Sequence, residues 1–397
     1  MKFLNFGCWN KGKCKLDSVE NPVSAVMQHI HNQVISSIDT LTPYEFIVVS
    51  GDNYYPSKLK INGIKTKTKM FNETDLSSGF DCLDKIPIKK YILFGNHEYN
   101  DKYDAHDTIN HHFYNKTPIY CLNIQSQLNY SETKKNFEIF KDTVMLKYDD
   151  KDNTLLIMID TTIYDTLSDE ELLCYHGILG LNFGTTPEDR LARIKTRGKE
   201  TIINAIRNRQ LNQVIDKLTK FKLFSFEKII FVGHHPIINC RIKKSKETAN
   251  ILDNLKDFFK NIYKHIRADN IIYLCADTHF YQKGIVNIVI DATTTMEIEQ
   301  HIVGTGGSSC DLICKKNGLR HNLAGDLTYN VISQIQEYGY LKYERKLFEF
   351  VEVPFKLAYY TEIDGKIKVS KKVNENVDDD SKLVCQTGGG RKYKIIY

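Results

Sequence analysis

Three short loops carry side chains suited to holding metal ions: Gly51-Asp52-Asn53-Tyr54-Tyr55, Gly95-Asn96-His97-Glu98 and Gly233-His234-His235-Pro236. Carboxylate, amide and phenol oxygens combined with imidazole nitrogens form a donor set for first-row transition metals. Each loop follows an apolar, β-branched-rich run: Phe46-Ile47-Val48-Val49, Tyr91-Ile92-Leu93-Phe94 and Ile229-Ile230-Phe231-Val232. Such runs read as strands covered on both faces. The polar residues therefore fall just past the carboxyl ends of strands, where sites collect in open α/β sheets. The preceding glycines let the backbone turn sharply there. A single motif of this kind is an ordinary turn, whereas three in order, each anchored by a strand, describe a site for two metal ions acting on a phosphoester.

These motifs resemble those of the calcineurin-like metallophosphoesterases, and among them the purple acid phosphatase branch. Tyr55 carries that narrower likeness, because the branch places Gly-Asp-Asn-(aromatic)-Tyr after its second strand. Further agreement comes from Leu156-Ile157-Met158-Ile159-Asp160-Thr161, Gln210-Leu211 and Val303-Gly304-Thr305-Gly306-Gly307. The resemblance spans about residues 1 to 350. It implies an α/β fold of the metallophosphoesterase type, an α/β/β/α sandwich with two mixed β-sheets flanked by helices.

Two positions depart from the branch pattern. Cys8, in Phe6-Gly7-Cys8-Trp9-Asn10, stands where a metal-binding Asp is expected. Asp277, in Cys275-Ala276-Asp277-Thr278-His279, replaces one of two histidines in a Gly-His-x-His motif. Thiolate and carboxylate are both competent donors, so all seven positions keep a ligand. Carried over by resemblance, one ion would be held by Cys8, Asp52, Tyr55 and His279, and the other by Asp52, Asn96, His234 and Asp277, with Asp52 bridging. Two ions of iron, zinc or manganese are expected, and the thiolate favours zinc or ferrous iron over ferric iron at its site. Asn10 is either a further oxygen donor or a turn residue.

Two such ions would lower the pKa of a bound water and supply a hydroxide for in-line attack on phosphorus. His97 is the candidate for stabilising phosphoryl oxygens or protonating the leaving group, unless it is simply held by Glu98 or Asp160. His235 is a second catalytic candidate, or its side chain points away. Phosphomonoester hydrolysis is the expected activity, on a phosphorylated small molecule, a nucleotide or a phosphoprotein. The alternatives are phosphodiester or nucleotide hydrolysis, and a pseudo-phosphatase that keeps the fold as a binding or regulatory module.

The elements that must position these residues are visible in the 397-residue chain, which is 42% hydrophobic. One domain is expected over residues 1–355, followed by a C-terminal extension, 356–397, that is at least partly a flexible polar tail. A helix should start at Asn21-Pro22, with Val23, Val26, Met27, Ile30, Val34 and Ile38 as its apolar stripe. Another helical run, from about Thr186 to Phe221, places Leu211, Val214, Ile215 and Leu218 on one face.

The net charge is +5, yet only ten of the 54 basic residues are Arg. That skew reads as composition bias, and no specific nucleic-acid binding is expected. Arg241, Lys243, Lys244 and Lys246 either reach an anionic substrate or form a solvated loop. His111-His112 read as surface loop residues. No stretch is apolar enough to span a membrane, and no leader peptide is visible. A cytoplasmic location is therefore expected, with Cys8 kept as a free thiol. Cys310 and Cys314 are a weak zinc pair without a second pair. The sequons at Asn72, Asn115 and Asn129 carry little meaning in a cytosolic chain.

Overall fold

A computed structural model of the chain describes all residues except 18, 56, 62–63, 100–121, 140–143, 179–186, 222–224, 244–245, 314–319, 324, 345, 356, 364–365, 372–392 and 396–397. Among the described residues the chain is a mixed α/β protein built on two main mixed β-sheets, with eight α-helices. One sheet has six strands in the order Leu347–Glu352, Gly339–Glu344, Phe3–Phe6, Phe46–Ser50, Lys89–Leu93 and Phe137–Ile139. Its last four strands are parallel. The other has eight, ordered Arg320–Leu323, Leu327–Ile335, Tyr281–Val289, Thr295–Val303, Ala268–Cys275, Phe226–Val232, Thr154–Ile159 and Val144–Asp149. Within it, the run from Thr295–Val303 to Thr154–Ile159 is parallel.

The continuous apolar runs are explained by two-sided burial. Side chains alternate across a strand. Phe46, Val48, Leu156, Met158, Ile230, Val232, Ile272 and Leu274 share one core cluster with residues of both sheets. Their neighbours Ile47, Val49, Leu155, Ile157, Ile229, Phe231, Tyr273 and Cys275 belong to another, which also holds the buried faces of the helices. One face of each strand thus meets the opposite sheet, and the other meets helices.

The helix at Pro22–Ile35 starts where expected, with the Asn21 side chain accepting from the Ser24 N–H at 2.9 Å. It buries Val23, Val26, Met27, Ile30 and Val34, whereas Ile38 lies beyond its end and is exposed. The helical run from Thr186 divides into Pro187–Arg197 and Lys199–Lys220, with Gly198 at a φ of 81° between them. The second helix buries Val214 and Leu218, and Leu211 and Ile215 pack partly buried against the same core. Residues past 355 include three strands, Leu357–Ile363, Lys366–Lys371 and Tyr393–Ile395, which form a small sheet of their own. The rest of the expected tail lies outside the described residues, as do His111-His112, Asn115 and Cys314.

Asn72 caps the helix Glu73–Asp84 by accepting from the N–H groups of Thr74 and Asp75. That helix is tied to the loop after the first strand by a disulfide between Cys14 and Cys82. Cys174 is also disulfide-bonded, so the expectation of a reducing setting does not extend to these cysteines. Cys8, Cys275 and Cys310 are free thiols. No helix among the described residues is long and apolar enough to cross a membrane.

The sheet-to-sheet interface sets the main stability prediction. Ile230→Ala empties space in a fully buried site, and urea unfolding should register a loss of about 2–5 kcal/mol. Ile332→Ala, at a position 44% exposed, should stay within about 0.5 kcal/mol.

Candidate metal centre

The parallel strands of both sheets end at the same edge, and their loops are stitched together there by backbone hydrogen bonds. Cys8 N–H donates to Gly51 O, and Trp9 N–H to Asp52 O. Across the sheets, Gly7 N–H donates to Val303 O and Gly306 N–H to Gly7 O. On the second sheet, Ala276 N–H donates to His234 O. These bonds gather the motif loops around one cleft.

Cys8, Asp52 and Asp277 each end their turn in the left-handed region, at φ of 52°, 54° and 59°. Non-glycine residues rarely adopt that conformation, which costs roughly 1–2 kcal/mol. Here it swings each donor out of line with its strand and into the cleft. Gly95 must be glycine for a related reason. A Cβ there would lie 2.4 Å from Asp52 Oδ1 and 2.7 Å from His234 Cε1.

Asp52 is the centre of the arrangement, with its two oxygens facing different donor groups. Oδ2 accepts from the Tyr55 hydroxyl at 2.9 Å and lies 3.8 Å from Cys8 Sγ. Oδ1 lies 3.2 Å from His234 Nε2 and accepts from the His97 backbone N–H at 3.1 Å. Burial alone would raise the Asp52 pKa. The charge of His234 first, then His97 with its N–H and the Tyr55 hydroxyl, outweigh burial and bring it down to about 2.

The rings of His234 and His279 are both oriented by backbone carbonyls. His234 Nδ1 faces Ser50 O at 2.7 Å, and His279 Nδ1 faces Ser309 O at 2.9 Å. Each Nδ1 therefore carries a proton and donates it to the carbonyl, which turns each Nε2 toward the cleft. His279 Nε2 lies 3.1 Å from the Tyr55 hydroxyl. His234 Nε2 faces not only Asp52 Oδ1 but also Asn96 Oδ1, at 3.1 Å. Nitrogen, oxygen and sulfur atoms that converge in this way form a donor set that fits a metal ion. Cys8, Asp52 and His279 offer ligand atoms within 4.8 Å of one another, and so do His234, His235 and Asp277.

All seven residues expected as ligands are thus drawn to one cleft, Cys8 and Asp277 included. His97 lies at its mouth, with its side chain 28% exposed and its Nε2 4.0 Å from Asp52 Oδ2. Its ring packs against Tyr55 at 4.6 Å between centroids. Asn10 turns the other way, donating to Leu76 O on the neighbouring helix at 3.1 Å, as a turn residue would. Arg241 pairs with Asp311 at 3.6 Å, and the side chains of Lys243, Lys244 and Lys246 lie outside the described residues.

Sequence reasoning missed the residues that hold the ligand loops. Glu98, fully buried, accepts from the backbone N–H groups of Asp52, Asn53 and Gly95 at 3.0, 2.7 and 2.6 Å. Thr161 Oγ1 accepts from the N–H groups of both His234 and His235, each at 2.8 Å. Asp160 receives the hydroxyls of Tyr99 and Tyr175, both at 2.9 Å. Gln210 brackets the Asp160 backbone through both its amide atoms at 2.9 Å. Glu98 and Thr161 lie within motifs already singled out, but their supporting role had no signal, because hydrogen bonds to backbone leave no pattern in sequence.

The chain matches no protein-family model and no curated protein sequence.

Burial first, and then the negative charge of Asp52, push the Cys8 thiol and the Tyr55 phenol well above their usual pKa values. Without an ion both stay protonated at neutral pH, and a metal must displace those protons to gain the ligands. Metal affinity should therefore rise with pH, since protons compete best at low pH. Zinc titrations in buffers of different ionisation enthalpy should show proton release, and Tyr55→Phe should reduce it. Heats independent of buffer would refute the linkage.

Proposed function

We propose that this chain is a phosphoesterase that uses two metal ions to hydrolyse phosphomonoesters. The observation that carries the reading is the Asp52 carboxylate, with one oxygen turned to Cys8 and Tyr55 and the other to His234. Two sets of donors sharing one carboxylate suit a two-ion centre. The resemblance to purple acid phosphatases, carried by Asp52, Tyr55, Asn96, His97, His234 and His279, supports the same reading.

When bound, two ions polarise phosphoryl oxygens and lower the pKa of water, which makes a nucleophile available near neutral pH. The chain's own residues supply the rest. Tyr55 and Cys8 close one side of the cleft, and Asn96 and Asp277 the other. His97, partly exposed beside Asp52, is placed to hold a phosphoryl oxygen and to hand a proton to the leaving alkoxide. Zinc or ferrous iron suits the sulfur-containing side, and zinc, manganese or iron suits the side built from nitrogen and oxygen. A phosphorylated small molecule, a nucleotide or a phosphoprotein would fit such chemistry.

The competing reading is a binding module that has lost catalysis, and its warrant is the pair of exchanged ligands, Cys8 and Asp277. Side chains turned away from Asp52 would favour it. Cys8 Sγ instead lies 3.8 Å from Asp52, and Asp277 joins the cluster of His234.

Purified protein should carry close to two metal ions and hydrolyse a generic aryl phosphate when zinc, manganese or iron is supplied. Elemental analysis showing no metal, together with absent turnover, would transfer the case to the binding module. Asp52→Asn should abolish metal content and hydrolysis together. His97→Ala should lower kcat by about a hundredfold while leaving metal content intact, and a parallel loss of metal would reassign His97 to the metal site.

A further inference from the structure

We propose that His235 is a metal ligand, completing the second ion site with His234 and Asp277; this rests on the two-ion reading above. Successive side chains in extended backbone point to opposite faces. The backbone at Gly233-His234-His235 is bent instead, because both histidine N–H groups converge on Thr161 Oγ1. The bend sets the two imidazole rings side by side, 4.8 Å apart at 87°. Their ligand atoms and that of Asp277 lie within 4.8 Å of one another.

His235 also has a nitrogen to offer. Its Nε2 is buried without a hydrogen-bond partner, and the Asp165 carboxylate is 3.7 Å away, beyond hydrogen-bond reach. A buried polar atom left unsatisfied costs free energy. An ion shared with His234 and Asp277 removes that cost. The side chain is only 6% exposed, against 28% for His97. A proton donor to substrate belongs at the mouth with His97, and a ligand belongs where His235 lies. With Asp52 and Asn96 beside His234, the site becomes two nitrogens and three oxygens, a set suited to zinc, manganese or iron as a divalent ion.

The test uses the full chain loaded with cobalt alone. Elemental analysis counts the ions, and visible absorption separates a sulfur-to-cobalt band from Cys8 from the bands of the other site. Wild type should bind two ions. His235→Ala and His235→Gln should keep the sulfur band and weaken the second ion by about ten- to a hundredfold or more, whereas Asp165→Asn should change neither. Two ions held by both His235 variants with unchanged affinity and spectra would overturn the assignment and leave the two-ion reading standing. A wild-type chain that binds no cobalt would overturn both. X-ray absorption of the zinc-loaded wild type serves where the variants fail to fold. Three imidazoles over two ions, from His234, His235 and His279, support the proposal, and two refute it.

Discussion

The site depends on keeping one buried carboxylate charged. Asp52 is almost wholly removed from solvent, and an isolated carboxylate in that position would take up a proton. What prevents this is a shell of donors drawn from several elements: the imidazole of His234, the backbone N–H of His97 and the hydroxyl of Tyr55. Tyr55 comes from the same loop as Asp52, but His97 and His234 come from loops after other strands. The charge is therefore stable only when the loops of both sheets are closed over it, which makes the sandwich a condition of the chemistry rather than a carrier for it.

That closure follows from the way the strands are buried. Every central strand presents one set of side chains to the opposite sheet and the alternate set to helices. Such strands cannot slide by one residue without exchanging their faces. A fixed register fixes where each strand ends, and so where Cys8, Asp52, Asn96, His234 and Asp277 emerge. Glu98 then sets the remaining freedom. Its carboxylate binds the N–H groups of two separate loops, holding the Asp52 and Gly95 turns in one relation. Burial, and next the charge of Asp52, push its own pKa up, against the pull of those N–H bonds. A second buried acid beside the first shows how closely these loops are constrained.

Much of this was legible in the sequence. The apolar runs gave the strands, Asn21-Pro22 gave a helix start, the ordered polar loops gave Asp52, Tyr55, Asn96, His97, His234 and His235, and the resemblance added Cys8, Asp277 and His279. The reason is that strand burial and turn chemistry leave local signatures. Glu98, Thr161 and Gln210 were not legible as supports, since each bonds to backbone far away in the chain or across a turn. Nothing in the sequence set His235 on the same side as His234 either. The bend that does so comes from a threonine more than seventy residues earlier, a contact that exists only after the strands of the second sheet pair. The Cys14–Cys82 link was equally hidden, because ten cysteines allow many pairings and the choice belongs to the folded chain.

The two exchanged ligands bear on whether the cleft has a use for ions. Cys8 and Asp277 share with Asp52 a backbone conformation that side chains avoid, each at a cost of roughly 1–2 kcal/mol. Around them, two imidazoles are held so that their Nε2 atoms face oxygens of Asp52, Asn96 and Tyr55. Strain of this kind persists only where the surrounding structure over-determines it, and here it also occurs at Asn10, Asn153 and Lys346. Sulfur at position 8 and a carboxylate at 277 are both competent donors, so the two exchanges would alter which ions suit the cleft rather than remove its capacity to hold them.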